Sequence, residues 1–295
     1  MNRSTFLLPT LAFSAALHPV SLAEDTSKKS SPDKTAYTLF NPTPDDQLRE
    51  MSTDRPDQTE SAFTVDAGRF QVEMDLFTFS RDHDDEAGAD TVAEDWSAVT
   101  LNLKAGLLHN LDVQLMLAPY SHSRTHDRTT GDRTKADGFG DLTTRLKYNV
   151  WGNDDESTTA LALMPFVKIP TAKRALGNNA VEGGLIVPLS VSLPWGWSMG
   201  LMTEFDILRD AADSDYHVDF INSITFSHDI AGKLGGYVEF FTVTSTENGV
   251  PWQGQFDVGL TYGLTDDVQL DAGINIGVTD SAPDWQPFVG LSFRF

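Results

Sequence analysis

Apolar and polar residues alternate along most of the chain, and the pattern is clearest at its end. In residues 285–295 every second position is apolar, from Trp285 through Leu291 to Phe295, and all but one of the residues between are small or polar. A period of two predicts a β-strand with one apolar and one polar face. The stretch is also about as long as a tilted strand that crosses a bilayer, roughly 9–11 residues. Because an open apolar edge would promote aggregation in water, we expect this strand to close a barrel and to face lipid.

The same alternation recurs in earlier segments and gives about twelve strands, an even number as in bacterial single-chain barrels. The links between the segments are long and short in turn: 81–95 and 121–138 are long, whereas 108–111 and 264–267 are tight. Outer-membrane barrels alternate in this way between external loops and periplasmic turns, and a β-sandwich has no reason to do so. The sequence therefore predicts an all-β fold, an antiparallel up-and-down transmembrane β-barrel. The predicted strands before the last begin near Phe70, Val99, Val113, Leu142, Leu161, Leu185, Trp197, Val218, Leu234, Phe256 and Val268.

Composition divides the chain into three parts. Residues 1–23 combine Arg3, an apolar run and a cleavage site of small residues, which is typical of a cleaved signal peptide. Residues 24–69 are mostly polar and lack periodicity, so they are expected to form an N-terminal periplasmic lead-in. Residues 70–295 contain all the predicted strands and are expected to form the barrel.

Overall composition excludes several classes of protein. The chain of 295 residues contains no cysteine, so it has no disulfide, no thiolate metal site and no cysteine nucleophile. A formal net charge of -22 and a pI near 4.4 disfavour nucleic-acid binding, which normally needs a basic surface. The mean hydropathy of -0.25 excludes a helical membrane protein. It does not exclude a barrel, because the two faces of a barrel strand average out.

A motif precedes the first predicted strand. Its elements are Thr53-Asp54-Arg55-Pro56, Thr59-Glu60-Ser61, Thr64-Val65 and Gly68-Arg69-Phe70-Gln71-Val72-Glu73. In order and spacing these elements resemble a bacterial outer-membrane transporter family linked to the meta-pathway of phenol degradation. Ala62 and Asp66-Ala67 stand where members of that family often carry proline. The resemblance implies an outer-membrane barrel and a transporter, and the name of the family suggests small aromatic or hydrophobic solutes.

Charged residues occupy many of the positions that alternate with the predicted lipid-facing ones. An apolar core cannot hold so many charges, because burying an isolated charge is very costly, whereas a wet lumen can. The bases lie mostly on the second to fifth predicted strands, and most acids lie on the first and on the sixth to eleventh. Two arrangements are consistent with this distribution: walls of opposite charge that set up a field across the pore, or mutual salt bridges that stiffen a narrow, plugged barrel. The predicted lumen bases are Lys104, Arg145, Lys147, Lys168 and Arg294, and the predicted lumen acids are Glu73, Asp75, Asp112, Glu182, Glu204, Asp206, Asp219, Glu239, Asp257 and Asp271.

The motif itself lacks a strand pattern over residues 53–64. We expect this stretch either to enter the periplasmic mouth as a partial plug, with Arg55 and Glu60 pairing to lumen charges, or to form an ordered turn that leads into the wall. Several aromatic residues are also expected to point inward, where they either meet an aromatic solute or, as the favoured interpretation, pack near the rims. These residues are Phe77, Phe79, Tyr120, Tyr237, Phe241 and Phe288.

No catalytic site, cofactor site or metal site is predicted. The acidic runs at 82–86 and 210–215 lack the spacing of a twelve-residue calcium loop and are expected to be solvated surface. The chain has no G-x-S-x-G, no H-E-x-x-H and no glycine-rich phosphate loop, and its seven histidines are scattered. These observations predict that the protein is not an enzyme.

Taken together, the patterns predict an outer-membrane channel or transporter of a Gram-negative bacterium that passes small solutes by passive or facilitated diffusion. The expected partners are outer-membrane lipid, lipopolysaccharide and the solute. The outer-membrane insertion machinery is a further expected partner, since the terminal Phe295 resembles the signal that this machinery recognises. The alternative is a closed structural or adhesion-type barrel that acts through its acidic outer loops, and a barrel hydrolase is a weaker alternative.

Overall fold

The computed structural model describes residues 33–85, 90–154, 157–173, 176–177, 179–210 and 215–295. The predicted signal peptide lies outside the described residues. Within them, no helix is long and apolar enough to cross a membrane. The helical structure that they contain is confined to two short 3₁₀ turns, Asp45–Gln47 and Pro194–Gly196.

The described residues otherwise form β-strands joined in one antiparallel sheet of fourteen strands. Each strand pairs with its neighbours along the sheet in antiparallel register. The strands are β1 (Phe70–Asp84), β2 (Thr91–Leu108), β3 (Leu111–Leu117), β4 (Tyr120–Asp127), β5 (Arg133–Gly138), β6 (Leu142–Trp151), β7 (Thr159–Ile169), β8 (Glu182–Ser192), β9 (Trp197–Arg209), β10 (Tyr216–Ala231), β11 (Leu234–Ser245), β12 (Gln253–Thr265), β13 (Val268–Gly277) and β14 (Trp285–Arg294).

These strands form twelve wall positions, because two of the positions are each built from two consecutive strands. One end of β2 pairs with β3 and the other end pairs with β4, so β3 and β4 together form a single interrupted strand. The interruption contains Pro119, which has no N–H to donate to a sheet. In the same way, β6 pairs with β3 and β5 pairs with β4. The prediction of an all-β barrel of about twelve strands is confirmed.

The barrel closes where the last strand meets the first. β1 pairs with β14 on one side and with β2 on the other. The Phe70 N–H donates to the Phe295 carbonyl at 3.0 Å, and the Phe295 N–H donates to the Phe70 carbonyl at 2.9 Å. The rings of these two residues also stack, with centroids 5.9 Å apart. Closure leaves no free edge at this seam, which satisfies the backbone polar groups of both strands.

Apolar side chains cover the outside of the barrel, and polar ones lie inside. In β12, Phe256, Val258 and Leu260 are 43%, 38% and 49% exposed, whereas Gln255 and Asp257 between them are buried. This arrangement is the reverse of a water-soluble protein, in which charged side chains are rarely buried and apolar ones usually are. It is the arrangement expected of a barrel whose solvent is lipid.

The links are short at one end of the barrel and longer at the other. The short links include 109–110, 232–233 and 266–267, and the longer ones include 246–252 and 278–284. Short turns lie on the periplasmic side of outer-membrane barrels and long loops lie outside. By this rule, the end with the short links is the periplasmic end, and the end with the longer links is the external end, here called the loop end.

The predicted long loops at 81–95 and 121–138 are largely wrong. β1 continues to Asp84, β2 begins at Thr91, and β4 and β5 form a hairpin across the second region. These strand ends extend to the loop end of the barrel. Polar residues there occupy both faces of the strands, as in the β4 sequence Y-S-H-S-R-T-H-D, so the alternation that reveals a strand is lost.

An irregularity in β1 and β2 changes which side chains face inward. Against β14 the register of β1 shifts between Asp75 and Phe77, so Leu76 is a bulge there. Val99 lies across from it on β2, between the pairs Asp75–Thr100 and Phe77–Ala98, and both side chains are exposed. The bulge puts Phe77 on the outside, where it is 45% exposed.

Three aromatic residues in this part of the wall, Phe77, Phe79 and Tyr120, are predicted from the sequence to point inward, and this prediction is wrong. Phe77 lies against Trp96 at 6.2 Å between centroids, and Tyr120, also exposed, lies 5.2 Å from Trp96. Phe79 contacts Trp285, which is likewise exposed.

Candidate functional site: a charged segment inside the barrel

Residues 53–65, here called the inner segment, lie inside the barrel without joining the sheet, and the residues that flank them, Arg49 and Asp66, meet at the periplasmic end. Their backbone N–H groups donate instead to wall carboxylates: Thr59 to Glu239 at 2.9 Å, and Val65 to Asp112 at 3.0 Å. Buried backbone groups need a partner, and here side chains take the place of a neighbouring strand. The course of the inner segment is therefore determined by charged residues of the wall.

The acidic residues of the inner segment lie against the basic wall. The Asp54 carboxylate accepts hydrogen bonds from the ammonium groups of Lys104 on β2 and Lys147 on β6, and Lys104 also donates to Glu73. All four side chains are at least 96% buried. Burial of this kind is tolerated because every charge has an opposite charge beside it.

Glu60 forms the second acidic anchor. It pairs with Arg145 on β6, and both side chains are mostly buried. Further along the same part of the wall, the Asn149 side-chain amide donates to the Ala62 carbonyl at 2.8 Å. The inner segment therefore follows the β2–β6 side of the barrel through both charges and amides.

The basic residue of the inner segment points to the opposite, acidic wall. Arg55 donates to Asp271 on β13 at 2.7 Å and to Asp75 on β1. Its guanidinium also lies 5.5 Å from the centre of the Phe288 ring on β14, within the range of a cation–π contact. Gly290 makes room for it, because a Cβ there would overlap the guanidinium.

Uncharged polar contacts hold the middle of the inner segment. The Gln58 side-chain amide donates to Asp257 at 2.8 Å and to Gln255 at 2.9 Å. The hydroxyls of Thr59 and Ser223 lie 2.6 Å apart. These contacts are with β10 and β12, so the segment touches the wall on several sides.

A buried carboxylate, Asp66, fixes the periplasmic end of the segment. It lies 3.1 Å from a guanidinium nitrogen of Arg49, 3.4 Å from Lys34 Nζ and 3.8 Å from a guanidinium nitrogen of Arg294. The backbone at this point crosses Gly106 of β2 so closely that a Cβ on Gly106 would overlap the Asp66 carbonyl.

The predicted lumen residues fall into three groups. Those that surround the inner segment, as described above, are Lys104, Lys147, Arg145, Glu73, Asp75, Asp112, Glu239, Asp257 and Asp271. Lys168 lies near the loop end of the barrel with Glu182, and Arg294 lies at the periplasmic end, 2.6 Å from Asp267. Glu204 and Asp206 lie on β9, and Asp219 lies on β10 close to His217.

Five polar residues at this site are not predicted from the sequence: Lys34, Arg49, Asp57, Gln58 and Asp66. All of them lie before the first strand, where alternation gives no guide; Asp57, Gln58 and Asp66 fall between the matched elements of the motif, and Lys34 and Arg49 precede those elements. The aromatic residues Tyr237 and Phe288 are buried inside the barrel. The Tyr237 hydroxyl lies 3.4 Å from the Pro56 carbonyl, and Phe241 packs against an interior apolar cluster that contains Met164 and Ile186. The first contact is a hydrogen bond that the Tyr237 hydroxyl donates, and the second is apolar packing.

One cavity lies against the inner segment and another lies towards the external end of the barrel. The first, of about 480 Å³, lies at the periplasmic end, and its lining includes Met51, Asp57 and Gly196. The second, of about 330 Å³, lies towards the outside, and its lining includes Ser80 and Gln286. Inner-segment residues, among them Thr53, Asp57 and Phe63, line the first cavity, whereas the lining of the second contains no residue of 53–65.

A closed twelve-stranded barrel with an apolar outer face and a charged interior defines an outer-membrane β-barrel protein of a Gram-negative bacterium. The profile of the family described as "Putative MetA-pathway of phenol degradation" matches residues 53–295, and the chain belongs to this family. The resemblance found in the motif is thereby confirmed.

Solved structures agree with this class. The chain is similar to the COG4313 outer membrane channel from Pseudomonas putida F1, with a TM-score of 0.58 and 15% identity over 83% of this chain and 100% of that chain. It is also similar to the translocator domain of the autotransporter NalP from Neisseria meningitidis, with a TM-score of 0.51 and 11% identity over 77% of this chain and 88% of that one. The comparison with curated protein sequences gives no match. At 15% and 11% identity, these similarities show the fold, an outer-membrane β-barrel.

Proposed function

We propose that the protein is an outer-membrane channel for small solutes and that the inner segment is its plug. The observation that carries this proposal is the way in which the segment is held: ion pairs and hydrogen bonds to wall side chains surround it on several sides. Such contacts can be exchanged for contacts with water, so the segment can shift without exposing a large apolar surface. A barrel built only for rigidity would be better filled with apolar side chains.

Passage through the barrel would then be passive or facilitated diffusion. The cavity against the inner segment and the cavity towards the external end of the barrel supply the two ends of a path. The name of the family suggests aromatic solutes, and the similarity to a solved outer membrane channel supports the class. Tyr237 and Phe288 lie beside the inner segment and offer aromatic surface once it moves.

The charges inside the barrel favour the salt-bridge arrangement over an unscreened field across the pore. The bases that would produce such a field are already paired: Lys104 and Lys147 with Asp54, and Arg145 with Glu60. The two walls do carry opposite charge, but the inner segment presents the complementary charge to each of them.

Single-channel recording in planar bilayers tests the proposal. Asp54→Asn combined with Glu60→Gln removes both acidic anchors while keeping the size of the side chains. Breaking a buried ion pair costs about 3–5 kcal/mol, so the inner segment should leave its site for a larger fraction of the time. We expect brief, small conductance steps from the unchanged protein and larger or more frequent steps from the double variant.

Asp45→Asn is the matched control, because Asp45 pairs with Arg69 but is 88% exposed at the periplasmic end. An exposed pair contributes about 0–1 kcal/mol, so the control should conduct like the unchanged protein. A folded, inserted barrel that never conducts, with or without the double substitution, would support the closed structural alternative instead.

The class of solute needs a separate measurement. Benzoate added to the double variant should block the steps more strongly than acetate at the same concentration, because both carry one carboxylate and only benzoate is aromatic. Equal block by the two acids would leave the channel proposal intact and remove the aromatic preference.

A further inference from the structure

Three ionisable side chains meet at the loop end of β9, β10 and β11. His217 Nδ1 lies 2.6 Å from Asp210 Oδ1 and 3.8 Å from Glu247 Oε2. One potential ligand atom from each of the three lies within 4.8 Å of the other two. The side chains are 10%, 21% and 22% exposed for His217, Asp210 and Glu247. One metal ion can reach all three ligand atoms at this spacing, with bonds of about 2.0–2.2 Å.

A fourth residue, Asp219, lies on the other side of the imidazole. Its Oδ1 is 3.4 Å from His217 Nε2. The same oxygen atom is buried and makes no hydrogen bond within the described part of the chain. Metal-bound imidazoles usually donate their second ring N–H to a carboxylate. Asp219 is placed to accept a hydrogen bond from a protonated Nε2–H. Nδ1 is then unprotonated, and its lone pair faces Asp210 and Glu247 and is free to bind a metal ion.

The charge of this group is unbalanced without a cation. Among the described residues, the ion-pair partner of Asp210, Asp219 and Glu247 is in each case His217. A neutral imidazole would leave three carboxylates close together, and their repulsion is costly where water is partly excluded. The comparable pair His83–Asp90, on β1 and just before β2, differs because Arg128 lies 3.4 Å from Asp90 and supplies a permanent positive charge.

We propose that Asp210, His217 and Glu247 bind one divalent cation at the extracellular rim, and that Asp219 positions the imidazole. One imidazole and two carboxylates suit Zn²⁺, whereas Ca²⁺ and Mg²⁺ prefer ligand sets of oxygen alone. The ligands belong to the ends of β9 and β10 and to the loop after β11, so the ion cross-links two external loops. The acidic run 210–215, expected from sequence to be solvated surface, contains one of these ligands, Asp210. The sequence does not link it to His217 and Glu247, because the three meet only through strand pairing.

Zn²⁺ binding to the full protein, purified from outer membranes in detergent, tests the proposal. Competition with a chromogenic chelator at pH 7.5 should give one tight site per barrel. His217→Ala and Glu247→Gln should abolish saturable binding, and Asp219→Asn should weaken it by about 10–100-fold, the range for a residue that orients a ligand. His83→Ala is the matched control and should bind Zn²⁺ as the unchanged protein does.

Retention of heat-modifiable migration on gels would show that each variant still forms a barrel. A variant that loses this migration would be replaced by the milder His217→Gln, for which the same loss of binding is expected. The proposal is overturned if the unchanged protein binds no stoichiometric Zn²⁺, if the His217 and Glu247 variants bind it equally well, or if Ca²⁺ competes as effectively as Zn²⁺. None of these results depends on whether the barrel conducts.

Discussion

At the scale of single residues, the barrel interior is organised by pairing between the inner segment and the wall. Asp54 meets lysines on one side, and Arg55 meets carboxylates on the other. Because the contacts are buried, removing one partner costs more than it does at a surface ion pair, since the other charge is left without compensation. Small residues are equally necessary, since the segment touches the wall backbone at Gly106.

Gly106→Ala tests this close approach. The added Cβ would overlap the Asp66 carbonyl, so the backbone of the segment must move away from β2. Overpacking of this kind costs roughly 1–3 kcal/mol. We expect a lower denaturation midpoint in guanidinium and larger conductance fluctuations.

Gly263→Ala is the control for this substitution. Gly263 also lies in a strand near the periplasmic end, but a Cβ there would lie 3.8 Å from its nearest neighbour, in ordinary contact. The control should keep the stability of the unchanged protein to within a few tenths of a kcal/mol. Equal effects at the two positions would show that the segment does not press against Gly106.

At the scale of elements, the sequence predicts strands well wherever one face meets lipid. The outward residues of β12 and β14, such as Val258 and Leu291, stand out because lipid demands an apolar residue at every second position. The bulge at Leu76 and Val99 cannot be predicted, since both residues are apolar and suit either side of a regular strand. The strand extensions at the loop end cannot be predicted from alternation, because neither of their faces has to be apolar.

Val99 has a backbone conformation that is unusual for its residue type. Its φ is 57°, in the left-handed region, where a Cβ costs roughly 1–2 kcal/mol and a β-branched residue is a rare outlier. Val99→Gly should recover that energy, which offsets the loss of the side chain and of strand propensity.

Val289→Gly is the matched comparison, because Val289 is also outward-facing and similarly exposed but is not among the residues with positive φ. We expect Val99→Gly to be less destabilising than Val289→Gly by about 1–2 kcal/mol, measured by guanidinium titration of the folded barrel in lipid vesicles. An equal or larger loss at Val99 would mean that the bulge contributes no strain.

At the scale of the whole molecule, the barrel could be predicted from sequence and the course of the inner segment could not. Alternation is a local property, repeated along the chain, whereas Arg55 and Asp271 are 216 residues apart and meet only when the barrel closes. The motif identifies residues 53–64 as special without indicating which wall each side chain contacts. Even the distribution of bases and acids over different strands becomes informative only once the segment is known to lie between them.

The remaining charge of the interior sets the ion preference of the pore. Acids outnumber bases among the inward-facing residues, and Glu204 and Asp206 on β9 lie near Arg145, which is already paired with Glu60. In water-filled space these carboxylates attract cations over a screening length of about 10 Å at 0.1 M salt. We therefore expect the Asp54→Asn/Glu60→Gln channel to prefer cations under a salt gradient. Adding Glu204→Gln and Asp206→Asn should move the reversal potential towards zero.

Asp132→Asn with Asp266→Asn is the control, because it removes the same number of charges from exposed turns at the two ends of the barrel. That pair should leave the reversal potential nearly unchanged, since exposed charges are screened by salt. An equal shift from both pairs would mean that the mouths of the barrel, and not the interior around β9, select the ion. If neither pair produces a shift, the conducting path does not pass β9.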